Sequence, residues 1–306
     1  MKYSLVADHY THLALAGVVA VAAAGWASWQ AAGKSRFPAI AAAAVVACMA
    51  FLTWRQCGMY RDSRTLYEAT LARNPDSWLA RANLALILAD AGELKEAIAQ
   101  GNEALRLKPD VPEVHYDLGR ALARAGRAPD AVIEYEEALR LRPDYPEAHF
   151  NLGNALRGEG HVPEAVEQYR EAVRIKPDFS EALTNLANLL EIQGRTSEAV
   201  SEYETALRID PSDAETRNDL GLALAENGSL PQAIAQFEEA LRLKPAFPEA
   251  QNNLGMALAD SGRPGESVSH FEEALRLKPD YAEARTNLAA VLGAPGQAGQ
   301  AGAAPK

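Results

Sequence analysis

Two kinds of hydrophobic pattern divide this chain. Leu13–Trp29 is an uncharged, mostly apolar run of 17 residues and Phe37–Trp54 is another of 18, with Lys34, Ser35 and Arg36 between them. Each run is just long enough to cross the hydrocarbon core of a bilayer as a helix. Trp26, Trp29 and Trp54 fall near the ends, where aromatic belts form. Ala16, Ala20, Ala24 and Ser28 recur every fourth residue, so one helix face carries only small side chains and lets a second membrane helix approach closely. The weakly charged segment before the first run, and the second run that follows at once, argue against a cleaved signal peptide. From about residue 61 the pattern changes. Short amphipathic stretches of helical period follow one another, broken by glycine and proline.

Those breaks are periodic. Pro75, Pro109, Pro143, Pro177, Pro211, Pro245 and Pro279 are 34 residues apart throughout. With each proline counted as position 32 of a unit, position 7 is always leucine, from Leu84 to Leu254. Position 8 is small: Ala85, Gly119, Gly153, Ala187, Gly221 and Gly255. Position 15 is always glycine (Gly92, Gly126, Gly160, Gly194, Gly228, Gly262), which suits the left-handed conformation that ends a helix. Position 20 is alanine or serine. Position 24 reads Gly101, Tyr135, Tyr169, Tyr203, Phe237 and Phe271. Position 27 is alanine in all six units. Small residues let two helices of a unit cross closely, and leucines and aromatics fill the space between units. The prolines end each second helix, and Asp110 and Asp144 are placed to cap the helix that follows.

This combination resembles the tetratricopeptide repeat (TPR), a helix–turn–helix unit of 34 residues. The resemblance implies an all-α superhelical solenoid, here preceded by two transmembrane helices. The reading divides the chain into a membrane-proximal segment (1–12), spans at 13–29 and 37–54, and a partial repeat helix at 61–75. Six repeats follow, at 76–109, 110–143, 144–177, 178–211, 212–245 and 246–279. A capping helix (280–292) and a disordered tail (293–306) end the chain.

In such an array the first helices line the concave face. Position 6 there is Asn83, Asp117, Asn151, Asn185, Asp219, Asn253 and Asn287. Asparagine offers both a donor and an acceptor, so a row of them has the chemistry to hold the backbone of an extended peptide. The array resembles that of O-GlcNAc transferase in this respect, with two rungs replaced by aspartate. The other reading is that these asparagines support neighbouring helices. Tyr116 and Phe150 at position 5, with Arg120, Asn154 and Asn188 at position 9, complete the expected peptide-binding set. Arg124 and Arg157 lie a turn further on. Position 5 carries no lysine in any unit, unlike the carboxylate-clamp type of TPR domain. His115 and His149 share position 4 and read as packing residues.

Net charge is −11, yet residues 1–59 carry Lys2, Lys34, Arg36 and Arg55 against Asp8 alone, so the acid excess lies wholly in the repeats. That excludes nucleic acid as the expected partner, because phosphate contacts need a basic surface. Cys48 and Cys57 would lie about 13 Å apart on a helix, too far for a disulfide. No motif asks for a metal or cofactor, and none marks a catalytic centre.

The segment YSLVADHYTHLALAG, the two runs and TWRQCGMYRDSRTLYEATLARNP resemble the membrane–TPR junction of multi-span glycosyltransferases, such as the transmembrane TPR mannosyltransferases. That resemblance implies that the chain is the C-terminal part of a larger protein whose catalytic acidic loop lies elsewhere, and that the array is extracytoplasmic. Counting basic residues in the flanks points instead to the cytoplasm. The expectation is a membrane-anchored, non-enzymatic scaffold that binds a protein or peptide segment, with lipids and other membrane helices as further partners. The alternative is the substrate-binding portion of a membrane glycosyltransferase.

Overall fold

The computed structural model describes residues 62–293, with Ala27, Ala44, Ala47 and Cys48 as isolated helical positions before them. Both apolar runs, the segment 1–12 and the tail beyond Gly293 lie outside the described residues. Among the described residues, no helix is long and apolar enough to cross a membrane, and none forms a strand. They form fourteen helices. These are α1 (Ser63–Arg73), α2 (Trp78–Asp90), α3 (Leu94–Leu107), α4 (Pro112–Arg124), α5 (Ala128–Leu141), α6 (Pro146–Gly158) and α7 (Val162–Ile175). Then come α8 (Ser180–Ile192), α9 (Thr196–Ile209), α10 (Ala214–Glu226), α11 (Leu230–Leu243), α12 (Pro248–Asp260), α13 (Pro264–Leu277) and α14 (Ala282–Gly293).

The chain divides into two compact units, Met1–Asp130 and Ala131–Lys306. In the first, α2 packs on α1 and α3, and α3 on α4. In the second, α6 pairs with α7, α8 with α9, α10 with α11 and α12 with α13. The second helix of each pair packs on the first helix of the next.

Local chemistry explains the repetition. Each position-15 glycine has φ between 73° and 82°, and an added Cβ meets nothing within 4 Å. Backbone conformation, not crowding, is therefore what requires glycine there. Position 8 is the opposite case. A Cβ on Gly153 would stand 2.7 Å from Tyr169, and one on Gly255 2.7 Å from Phe271. Here glycine lets the ring of the second helix lie against the backbone of the first. The rings of Tyr169, Tyr203, Phe237 and Phe271 are fully buried, as are the position-27 alanines beneath them. Each buried aromatic contributes roughly 1.5–3 kcal/mol.

The expected aspartate caps do not form. The N-caps of α4 and α6 are Val111 and Tyr145, with no side-chain cap. Pro112 and Pro146 open these helices, and their fixed φ and missing N–H do part of the work of a cap. Tyr145 instead lies under the Arg142 guanidinium, 4.3 Å from ring centroid to Cζ. Phe179, Phe247 and Tyr281 lie in the same way under Lys176, Lys244 and Lys278. Val111 departs from this rule before α4, and the junction before α10 departs from it differently. Asp213 replaces the aromatic and caps the helix, accepting from Thr216 N at 3.0 Å and Thr216 Oγ1 at 2.6 Å.

Candidate protein-binding face

Positions 5, 9 and 13 of a first helix are successive turns of one stripe. In the second unit these are Thr184, Asn188 and Ile192 on α8, Asn218, Leu222 and Glu226 on α10, and Asn252, Met256 and Asp260 on α12. Position 6 lies at the edge of the stripe that faces the preceding repeat.

That edge is where the predicted asparagines fall, and there they act as struts. Asn287 Nδ2 donates to Asn252 Oδ1 at 2.9 Å, and Asn253 Nδ2 donates to Asn218 Oδ1 at 2.9 Å. Asn218 Nδ2 in turn donates to Asp219 Oδ1 at 3.3 Å. Asn185 Nδ2 donates to Asn154 Oδ1 at 3.0 Å, and the same oxygen accepts from the Tyr169 hydroxyl at 2.7 Å. Asn218 and Asn252 are buried, so these bonds satisfy groups that would otherwise be costly to leave unpaired. Each strut uses one amide hydrogen. It leaves Asn253 and Asn287 a second hydrogen; the Asn253 carbonyl accepts from Asn252 Nδ2 at 3.5 Å and keeps one lone pair, while Asn185 also bonds the Tyr169 hydroxyl. Asn83, in the first unit, donates to the Leu79 carbonyl of its own helix at 2.7 Å.

The remaining predicted residues divide between the two units. In the first, Arg120 lies 5.7 Å from the Tyr116 ring centroid and reaches Asp117 Oδ1 at 3.4 Å. Burial raises the Asp117 carboxyl above the usual carboxylate range, and Arg120 opposes that shift. Beside it Gly101 stands where other units carry an aromatic. Leu118 borders the space, 3.2 Å from an added Cβ, and a small recess remains among Ala82, Ala85, Ala97, Val114 and Ala121. In the second unit Phe150 packs inward, with ring centroids 4.8 Å from Phe179 and 5.9 Å from Tyr169. Its ring belongs to the packing between repeats. Asn151 lies on the same helix, next to Asn154 by one turn less a residue.

Tyr203 donates to Glu191 Oε2 at 2.6 Å and also bonds Asn188 Oδ1. Burial is the main cause that raises both the Tyr203 hydroxyl and the Glu191 carboxyl. The tyrosine hydrogen bond lowers Glu191 against that, while Glu226 and Asp219 raise it further. Asp219 is raised by burial, offset in part by Asn218. Burial also pushes the Tyr169 hydroxyl up to about 12.

The histidines are tethers, as their shared motif position suggested. His149 Nε2 donates to the Pro143 carbonyl at 2.9 Å, and Nδ1 lies 2.7 Å from the Gln168 side chain. His115 Nε2 meets the Pro109 carbonyl at 2.8 Å. Arg217 makes the same pair of contacts, to Pro211 and Gln236. One feature was not predicted from sequence, the apolar run of exposed side chains Ile192, Leu222 and Met256. Counting positions 9 and 13 through the last three repeats finds it. The asparagine struts match the alternative in which these residues support neighbouring helices.

A tetratricopeptide repeat family model matches residues 57–112, 116–178, 150–214 and 218–282. Among curated proteins, Protein O-mannosyl-transferase Tmtc2 of Drosophila melanogaster is 33% identical over 73 residues. The match covers 24% of this chain and 8% of that protein, so the chain spans only a small part of that relative's length. Among solved structures, that of PilF of Pseudomonas aeruginosa superposes with a TM-score of 0.61 at 18% identity, over 72% of this chain and 99% of the other. YrrB, a TPR protein with an unusual peptide-binding site, gives 0.56 at 20% identity, over 61% and 96%. MamA gives 0.52 at 23% identity, over 54% and 97%. Likenesses at these identities carry the fold alone.

Proposed function

Since this chain belongs to the tetratricopeptide repeat family, we propose that it is a non-enzymatic scaffold whose first-helix face binds an extended segment of another protein. The observation that carries this reading is the set of hydrogen-bonded asparagines at Asn185, Asn253 and Asn287. They lock successive first helices in register, and Asn253 and Asn287 keep a second amide hydrogen and acceptor lone pairs beside the exposed stripe. A preorganised row of this kind costs a partner less ordering than a flexible surface. Individual bonds to it contribute about 0.5–1.5 kcal/mol, so several repeats must act together. The runs at 13–29 and 37–54 anchor the chain in a membrane, with the array on the extracytoplasmic side.

Site-directed photocrosslinking in native membranes tests the binding face. A photoreactive residue at Leu222 should capture a partner that the same residue at Glu238, exposed on the second helix α11, does not. Equal capture from both positions, or capture from Glu238 alone, would refute the assignment of the face. Anchoring is tested by alkaline carbonate extraction of the full chain, and release into the supernatant would refute it.

A second reading, the repeat portion of a multi-span O-mannosyltransferase, rests on the 33% identity to Tmtc2 over 73 residues. It shares the binding face and differs in the partner. Under it, photocrosslinking from Leu222 captures a substrate protein of the transferase.

A further inference from the structure

The first-helix stripe of the second unit changes character along the chain. On α6 it is flanked by Arg157. On α8, α10 and α12 no lysine or arginine occupies motif positions 2, 5, 6, 9, 12 or 13. Those helices carry instead Glu191, Asp219, Glu226 and Asp260, none of which enters an ion pair among the described residues. By contrast, near the ends of several second helices the glutamate three residues before the last arginine is neutralised, as in Glu171–Arg174, Glu239–Arg242 and Glu273–Arg276. Even the position-2 glutamates of α10 and α12 have partners, Lys244 and Lys278.

The same stripe exposes large apolar side chains. Ile192 is 71% exposed, and Leu222 and Met256 are 38% exposed each. The leucines two residues before or after these, such as Leu190, Leu220, Leu224, Leu254 and Leu258, are all buried. Leu222 and Met256 share motif position 9 on helices that are held together by the Asn253–Asn218 strut. They therefore form a short apolar rail, with carboxylates at its edges.

Charges left unneutralised beside exposed apolar surface are complementary to one kind of partner. Resting on the proposal that this face binds an extended segment, we infer that the face formed by α8, α10 and α12 takes a cationic segment. Its lysine or arginine residues meet Glu191, Glu226 and Asp260, and its interleaved apolar residues cover Ile192, Leu222 and Met256. The raised carboxyl of Glu191 fits this arrangement. Burial first, and then the charges of Glu226 and Asp219, hold it up in the free protein, and a cation brought alongside would offset those two charges. Burial of the apolar rail supplies contact energy, and the carboxylates supply orientation and rate of encounter.

The test uses the full chain in neutral detergent and three labelled decapeptides in which isoleucine alternates with lysine, glutamine or glutamate. Binding is read by fluorescence anisotropy, with empty micelles subtracted. The lysine peptide should bind roughly tenfold tighter than the glutamine peptide, the scale expected of a few exposed charge pairs acting together. The glutamate peptide should bind weakest. Raising salt should erase the difference, because exposed pairs are screened. The triple variant Glu191→Gln, Glu226→Gln, Asp260→Asn should bring the lysine peptide down to the level of the glutamine one. Leu222→Ser with Met256→Ser should weaken all three, and unchanged circular dichroism would show that both variants fold.

No lysine preference, or a preference that survives the triple variant, would overturn the inference. If the glutamine peptide still binds and is lost only in the Leu222 and Met256 variant, the binding face stands and its cationic specificity fails. Failure of the photocrosslinking contrast between Leu222 and Glu238 would instead remove the face itself.

Discussion

Gly221 provides a sharp test of how the repeats pack. It lies in the middle of α10, where alanine is ordinarily worth about 0.8–1 kcal/mol more than glycine. Yet an added Cβ would stand 2.5 Å from Phe237 Cε1, 2.8 Å from Cδ1 and 2.9 Å from Cζ. Contacts of this kind sit near 3.5–4.0 Å when relaxed, so the ring or the helix must move by about 1 Å. Phe237 has little room to do so. It is fully buried in one cluster with Leu220, Leu224, Ile234, Leu254 and Ala257. Overpacking a filled core costs about 1–3 kcal/mol, and contact this close belongs at the upper end. Subtracting the helix-propensity gain leaves Gly221→Ala destabilising by about 2 kcal/mol.

Stability in a repeat array is distributed over units and their neighbours, so a single midpoint would blur this. Hydrogen exchange resolved by peptide is the better assay. In the regime where exchange reports local opening, about 2 kcal/mol is roughly a thirtyfold loss of protection. The loss should be concentrated in α10 and α11 and be small in α2 and α3. Gly158→Ala is the control: nothing lies within 4 Å of its Cβ, so it should gain protection or stay level. Ala187 shows that a methyl at this motif position can be housed in the same cluster as Tyr203. If Gly221→Ala behaves like Gly158→Ala, the ring yields freely and the steric account of position 8 is wrong.

Two other outcomes follow from the polar groups. Asn252→Ala should cost about 1–3 kcal/mol, because it strips the buried acceptor of the Asn287 strut, and exchange should accelerate in α12 and α14 together. Acceleration confined to α12 would show that the strut couples nothing. Glu191, Asp219 and Glu202 all have carboxyls raised mainly by burial. A raised carboxyl makes the folded state bind protons that the unfolded chain has already lost. Stability therefore falls as pH rises from the ordinary carboxylate range through the raised values, and recovers on mild acidification. Urea midpoints of the full chain should be higher near pH 5 than at pH 7, with a smaller difference in Glu191→Gln. An equal or larger difference in that variant would assign the effect to other groups.

What the sequence determined by itself is everything that a residue settles with its near neighbours along the chain. The 34-residue period, the glycines at positive φ and the buried alanines are of this kind. Each depends on backbone conformation or on crowding between helices joined by a short turn, so each recurs wherever the unit recurs. The shared position of His115 and His149 likewise pointed to packing, and both contact a proline carbonyl six residues back.

Only the tertiary structure decided matters that turn on residues a whole repeat away. Whether Asn253 reaches outward or bonds Asn218, 35 residues earlier, depends on helix spacing that no local pattern encodes. Phe150 reads as a surface aromatic by motif position. It packs inward because Phe179, at the next junction, lies within 4.8 Å. Asp110 and Asp144 looked like caps, yet the residue after each, Val111 and Tyr145, takes the cap position, Tyr145 under the Arg142 guanidinium. The carboxylates of α8, α10 and α12 were visible as letters. That they lack the ion pairs of Glu171, Glu239 and Glu273 on the second helices is a property of where side chains end. That property is set by packing between units, because a charge in a repeat array is neutralised by whichever neighbour the fold brings within reach.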